Sequence, residues 1–177
     1  MITKNFKMLI VSLLQASGAN TECYLPIKTV SNSTAYIGGK YSNFPYAVSK
    51  TVRYSNNSAG IIVGAGNTPA TENDYCLESQ ITSGLSASSV TSTYGLDANG
   101  NYYMIMLFTL TNTTGSDITI KEVGYVQAVS SASSEGGTPS SSGSSSVLLD
   151  RTVLEQPVTV PANDSAAIKY ILKTVLS

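Results

Sequence analysis

The chain has 177 residues and a formal net charge of −1, and only 12% of its residues are charged, about half the usual share of a soluble domain. That length fits one domain with a real core. The near-neutral charge, with basic residues scattered singly, excludes the clustered basic face a phosphate-backbone binder needs. No histidine is present, which removes Ser-His-Asp and Cys-His nucleophile systems and His-containing zinc sites.

Residues 1–19, MITKNFKMLIVSLLQASGA, admit two readings. Lys4 and Lys7, the run Met8 to Leu14 and the small residues Ser17 to Ala19 have the order of a secretory signal. Alternatively, Phe6, Leu9, Ile10, Leu13 and Leu14 fall at i, i+3, i+4, i+7 and i+8, one stripe of an amphipathic helix that Gly18 could end. The second reading is preferred: a retained docking helix whose stripe meets a neighbouring subunit. Removing residues 1–19 is then expected to block assembly and leave the remaining domain, 20–177, folded. A stripe that covers its own sheet is the plainer alternative.

Cys23 to Val30 reads as a short strand, placed at an edge or irregularity by Pro26. Ser31 to Pro45 reads as loop, Ala47 to Tyr54 as a partly alternating strand and Gly60 to Val63 as a short apolar one. Gly64 to Ile81 is a shaped loop. Its Gly64-x-Gly66 lacks the third glycine and the helix of a dinucleotide site. Thr71 to Asp74 is expected to form one helical turn with Thr71 as N-cap, and Tyr75 and Leu77 to anchor the loop. Ser86 to Tyr94 is a polar strand, and Asp97 to Gly100 a hairpin turn. Asp97, Asn99 and Asn101 resemble a calcium loop only faintly, since the downstream Glu is missing; no metal is expected.

Tyr102 to Leu110 and Ile118 to Val129 are β-branched and aromatic runs flanking Asn112 to Asp117, which predicts two strands joined by a short hairpin. In the second, Ile118, Ile120 and Val123 face one way, with the register open near Glu122 to Gly124. Ser130 to Ser146 is a low-complexity run too polar to order itself, so a mobile surface loop is expected. Val147 to Leu149 and Val158 to Val160 are strands, Pro161 to Asp164 a turn, and Ala167 to Val175 a last strand with Ile168, Tyr170 and Leu172 on one face. Short strands at turn-punctuated spacing, with no βαβ repeat, predict an all-β antiparallel sandwich, immunoglobulin-like or jelly-roll-like, with a short N-terminal α-helix.

Chemistry is sparse. Cys23 and Cys76 allow one disulfide and read as free thiols. The Asn-x-Ser/Thr triplets at Asn32, Asn56, Asn112 and Asn163 all fall at turns that favour Asn. Paired carboxylates among Glu72, Asp74, Glu78 and Glu122 are the only enzymatic option. Glu122, inside a strand, reads instead as a structural charge for Arg151 or Lys121. No catalytic, metal or cofactor site is expected.

Three stretches carry a family resemblance: GAGNTPATENDYCLES (Gly64 to Ser79), FTLTNTTGSDITIKEVGY (Phe108 to Tyr125) and LLDRTVLEQPVTVPANDSAAIKY (Leu148 to Tyr170). Together they resemble a group of small structural proteins of tailed bacteriophages and prophages. Asp74, Tyr75, Leu77 and Glu78 match in the first, Glu122, Val123 and Gly124 in the second, and Arg151 with Pro157 to Pro161 in the third. The Ser-rich insertion departs from that pattern. The resemblance implies a non-enzymatic virion component, in the tail or neck or decorating the capsid. Its implied partners are copies of itself and other virion proteins, with no nucleic acid and no membrane. A secreted or fibre-borne module that binds a host receptor or glycan is the alternative.

Overall fold

A computed structural model describes residues 1–8, 24–38, 60–88, 90–130 and 144–173. The strands are β1 (Tyr24–Lys28), β2 (Thr34–Gly38), β3 (Gly60–Gly64), β4 (Leu85–Ala87), β5 (Thr91–Leu96), β6 (Tyr102–Asn112), β7 (Ile118–Ser130), β8 (Ser144–Val160) and β9 (Ser165–Lys173). Every pairing among them is antiparallel. One sheet runs β3-β7-β8. In the opposing sheet β6 is central, with β4 and β5 along one side and β9 along the other. The β1-β2 hairpin joins the first sheet where Val30 N–H donates to Ser146 O. Met106, Phe108, Leu110 and Tyr170 from one sheet and Ile61, Ile120, Val123 and Val147 from the other share one buried cluster. The fold is an all-β antiparallel sandwich with a helical turn at residues 4–8.

The structure corrects the expected hairpin at Asn112 to Asp117. β6 pairs with β4, β5 and β9, and β7 with β3 and β8. The turn therefore carries the chain from one sheet to the other. Asn112, 1% exposed, holds this arch. Its Nδ2 donates to Ser116 O (2.8 Å) and Val160 O (3.0 Å). Its Oδ1 accepts from Thr114 N (2.9 Å) and Oγ1 (2.7 Å). Pro161 to Asp164 makes the parallel crossing from β8 to β9, with Asn163 left-handed at φ 59°, a conformation Asn tolerates well. The two arches are stitched together, Asn112 N–H to Asp164 O and Asn163 N–H to Thr114 O. Asp97 to Gly100 does form a hairpin, β5 to β6. There Asp97 Oδ1 accepts from the Asn99 and Asn101 amides (both 2.9 Å), and Lys173 pairs with the same carboxylate.

Other boundaries also move. β2 lies inside the stretch expected to be loop, because Asn32 takes a left-handed φ of 64° and turns the chain into a hairpin. The polar run Ser86 to Tyr94 divides into β4 and β5. Val147 to Leu149 and Val158 to Val160 belong to one long strand, β8. The ends of the Ser-rich stretch are paired, Ser130 with Ser144 and Ala128 with Ser146; residues 131–143 lie outside the described part, as do the expected strand at 47–54 and Cys23.

Residues 1–8 are built into the sandwich rather than set apart from it. Ile2 bridges Asp150, and Thr3 N–H donates to Leu149 O. Thr3, fully buried, donates Oγ1 to Leu148 O (2.7 Å). Asn5 clamps β1 by exchanging hydrogen bonds with the Lys28 carbonyl and amide (2.7 and 3.0 Å). Phe6 is half-buried against the main core, so the one described member of the expected docking stripe covers its own domain. Leu9, Ile10, Leu13 and Leu14 fall outside the described residues. Deleting 1–19 would strip buried hydrogen bonds from β8, so it is not the clean removal of a docking arm that the sequence suggested.

Candidate functional site

Two irregularities in the β7-β8 ladder build a concentrated polar group. Ile120 pairs with Val158 and Glu122 with Val153, so Lys121 lies opposite a four-residue excursion, Leu154 to Pro157. Such a bulge reverses which face the following side chains take. Ile120 and Val123 both face the main core while Glu122, between them, turns to the outer face of the β3-β7-β8 sheet. The second shift, at Tyr125/Val126, skips Leu149. It sends Asp150 inward, where it accepts a hydrogen bond from Tyr170 Oη across the sandwich, and Arg151 outward.

Glu122 and Arg151 meet beneath the 64–81 loop, at 0% and 3% exposure. Arg151 uses all its nitrogens: Nε to Glu122 Oε2 (2.8 Å), Nη1 to Asp74 Oδ2 (2.8 Å) and Nη2 to Thr68 O (3.1 Å). Glu78 Oε2 lies 3.6 Å from Nη2. Glu122 also accepts from three loop amides, Gly66 (3.1 Å) and Ser79 (2.8 Å) at Oε1 and Glu78 (3.2 Å) at Oε2. Desolvating two charges costs several kcal/mol per ion unless pairing and hydrogen bonds offset it; here every oxygen and nitrogen is engaged.

The glycines of the loop answer to this carboxylate. A Cβ at Gly64 would sit 2.5 Å from Glu122 Oε1 and 2.6 Å from Ser79 O, and one at Gly66 would sit 2.6 Å from Glu122 Oε1. The Gly64-x-Gly66 pattern thus gives the backbone room to approach a buried anion supplied by the protein itself. Leu77 seals the outer face with Ile62, Val126 and Leu148. Gly124 leaves space beneath it, since a Cβ there would lie 2.9 Å from both Leu77 and Leu148.

The expected helical turn at Thr71 to Asp74 is an Asp-closed turn instead, in which the Thr71 amide and hydroxyl donate to the Asp74 carboxylate (2.9 and 2.8 Å). Burial opposes ionisation of Asp74, but the Arg151 guanidinium and both Thr71 donors outweigh it and hold the carboxyl below its usual range. Hydrogen bonds from the Thr68 hydroxyl and amide hold Glu78 low as well. Burial would discharge Arg151; Asp74 and Glu122 reverse this and raise its pKa. Burial pushes the Cys76 thiol up, against the pull of Arg151.

Of the carboxylates named from sequence, Asp74, Glu78 and Glu122 gather at Arg151, whereas Glu72 pairs with Lys7 at the surface. Glu122 has no exposed surface from which to reach a sugar. Among the described residues no cluster of His, Cys, Asp or Glu could hold a metal ion, and no helix is long and apolar enough to cross a membrane. Sequence reading missed Thr68 and the three amide donors, which a side-chain pattern cannot show. It also missed the exposed apolar residues of the second sheet, Tyr94 (80%), Leu96, Tyr102, Leu107 and Ile171.

No protein-family model, curated protein or solved structure matches the chain.

Proposed function

We propose that the chain is a non-enzymatic structural subunit of a tailed-bacteriophage particle, in its tail or neck or on its capsid, that works by binding copies of itself and other virion proteins. The observation that carries this reading is spatial. The three stretches that resemble phage structural proteins lie far apart in sequence, yet they meet at one point: the 64–79 loop, Glu122 of β7 and Arg151 of β8. Their matched residues, Asp74, Glu78, Glu122 and Arg151, are the charged members of that meeting, and Leu77 and Gly124 are its apolar seal. This supports treating the motifs as one folding unit rather than three coincidences. Apolar side chains left exposed on the second sheet suit a subunit with neighbours.

Immunogold labelling of purified particles with an antibody to this chain tests the reading. Labelling at a fixed position, with the chain co-sedimenting at constant stoichiometry, is expected. A chain found only free of particles would overturn it.

The secreted or fibre-borne binding module is the second reading, favoured by the exposed Tyr94 and Tyr102. Mass spectrometry of the native N-terminus separates the two, because a mature chain starting at Asn20 would support secretion. The burial of Thr3 and the Asn5 clamp on β1 favour a segment that stays with the domain.

A further inference from the structure

The two sheets close poorly along one side. β9 pairs with β6 through all nine of its residues, and among the described residues no strand pairs with its other edge. Beside it runs an apolar slot of about 320 Å³. Five consecutive β9 residues, Ala167 to Ile171, line this slot. Successive side chains of a strand point to opposite faces, so a groove touched by five in a row runs along the strand's edge. The opposite wall is Ile120 and Val123 of β7 with Leu154 and Val158 of β8. The four-residue excursion between Val153 and Val158 contributes Leu154 to that wall.

We propose that this slot is an acceptor for an extended segment of a partner protein, which adds as a strand to β9 and closes the sandwich. An unpaired edge offers backbone donors and acceptors to an incoming strand, and pockets for alternate side chains select it. The chemistry of the occupant follows from the lining. Side chains facing the core side meet the half-buried Leu154 and Val158, with the buried Ile120 and Val123 behind them, and must be aliphatic. Among the described residues, the slot's one charged lining residue is Lys169, exposed on the outer side. The segment therefore carries an acidic residue on its outward face, opposite in sign to Lys169. A second copy of β9 is the poorer occupant, because antiparallel self-pairing around Ile171 sets Lys169 against Lys173. The proposal rests on the reading that the chain works by binding neighbours, and it holds whether or not the particle is a phage.

A terminally blocked nonapeptide alternating Thr and Val, with a central Glu on its Thr face, is the probe. Binding to the intact chain is read by fluorescence anisotropy, and its location by amide hydrogen exchange. The Glu peptide is expected to bind and to slow exchange in β9. Replacing two of its Val by Pro, which removes backbone donors, should weaken binding by about tenfold or more. With Lys169→Glu, an exposed change that leaves the core intact, preference should pass to the peptide carrying Lys in place of Glu, by about fivefold. Three results would overturn the proposal: no binding by any peptide; binding that leaves β9 exchange unchanged; or protection of β9 that grows with protein concentration in the absence of peptide, which would assign the edge to a second copy. Failure of particle labelling together with peptide binding would reject the virion reading and keep the acceptor slot.

Discussion

β7 and β9 are both long, paired strands, yet they live in opposite environments. From Glu122 to Gln127 β7 is buried on both faces, by the core on one side and the 64–81 loop on the other. β9 alternates between exposed and covered residues from Ser165 to Lys173. A strand covered on both faces loses its period-two signature, whereas a half-covered strand keeps it. The difference shows where the described part of this domain has completed its own packing and where, among the described residues, a face and an edge stay open.

Substitutions can sharpen the contrast. Arg151→Ala leaves Glu122 buried without its counter-charge and should cost about 3–5 kcal/mol, measured as the loss of unfolding free energy in urea. Replacing Glu122 and Arg151 together by apolar residues should recover little of this, because the Gly66, Glu78 and Ser79 amides lose their acceptor as well. Recovery to wild-type stability would show that the loop does not depend on Glu122.

Gly64→Ala comes next, at about 1–3 kcal/mol, the usual range for forcing extra atoms into a packed site, since the Ser79 carbonyl it would strike is backbone. A loss below that range in thermal melting would mean that the loop can lift away from β7.

Acid should act on the same region. Asp74 and Glu78 ionise more readily folded than unfolded, so the unfolded chain binds more protons as pH falls past their ordinary values of 3.8 and 4.5. Their contribution is present above that range and is lost as pH falls through the lowered folded values. Urea midpoints should drop below about pH 4.5, and less steeply in Asp74→Asn. At the alkaline end the sign reverses. Burial pushes Tyr125 up to about 12, so its contribution persists to pH 10 and is lost above it.

The smallest effect belongs to the open sheet. Leu107→Thr and Tyr94→Ser should each change stability by no more than about 0.5 kcal/mol. A larger loss at either position would mean that this face is packed against something in the free protein.

Much of the strand pattern was legible because burial writes itself into apolar periodicity: Tyr102 to Leu110, Ile118 to Val129 and the alternation of Ile168, Tyr170 and Leu172 all coincide with strands. Pairing was less legible. Asn112 to Asp117 has the residues of a hairpin turn, but an arch between sheets uses the same residues, and the choice depends on which long-range partners β6 and β7 find. Glu122 could be suspected because it is a carboxylate inside an apolar strand, and Arg151 as a cation able to pair with it. Their surroundings could not, since Thr68 O and the Gly66, Glu78 and Ser79 amides are backbone groups. The bulge at Lys121, which decides that Glu122 faces outward, shows in sequence only as a break in alternation after Ile120.

The arches also bear on the order in which the chain can fold. A β6-β7 hairpin would have formed early, its ends being a few residues apart. In its place the chain must bring Gly60 to Val126, and Tyr103 to Lys173, before either strand has its full set of partners. Closing such long loops is entropically costly before contacts repay it. The tight local nuclei are the β1-β2 and β5-β6 hairpins, neither of which includes Glu122 or Arg151. Refolding from denaturant is therefore expected to be slow for a chain of this length, and the buried ion pair to assemble in its last stage, when β7 and β8 already lie side by side.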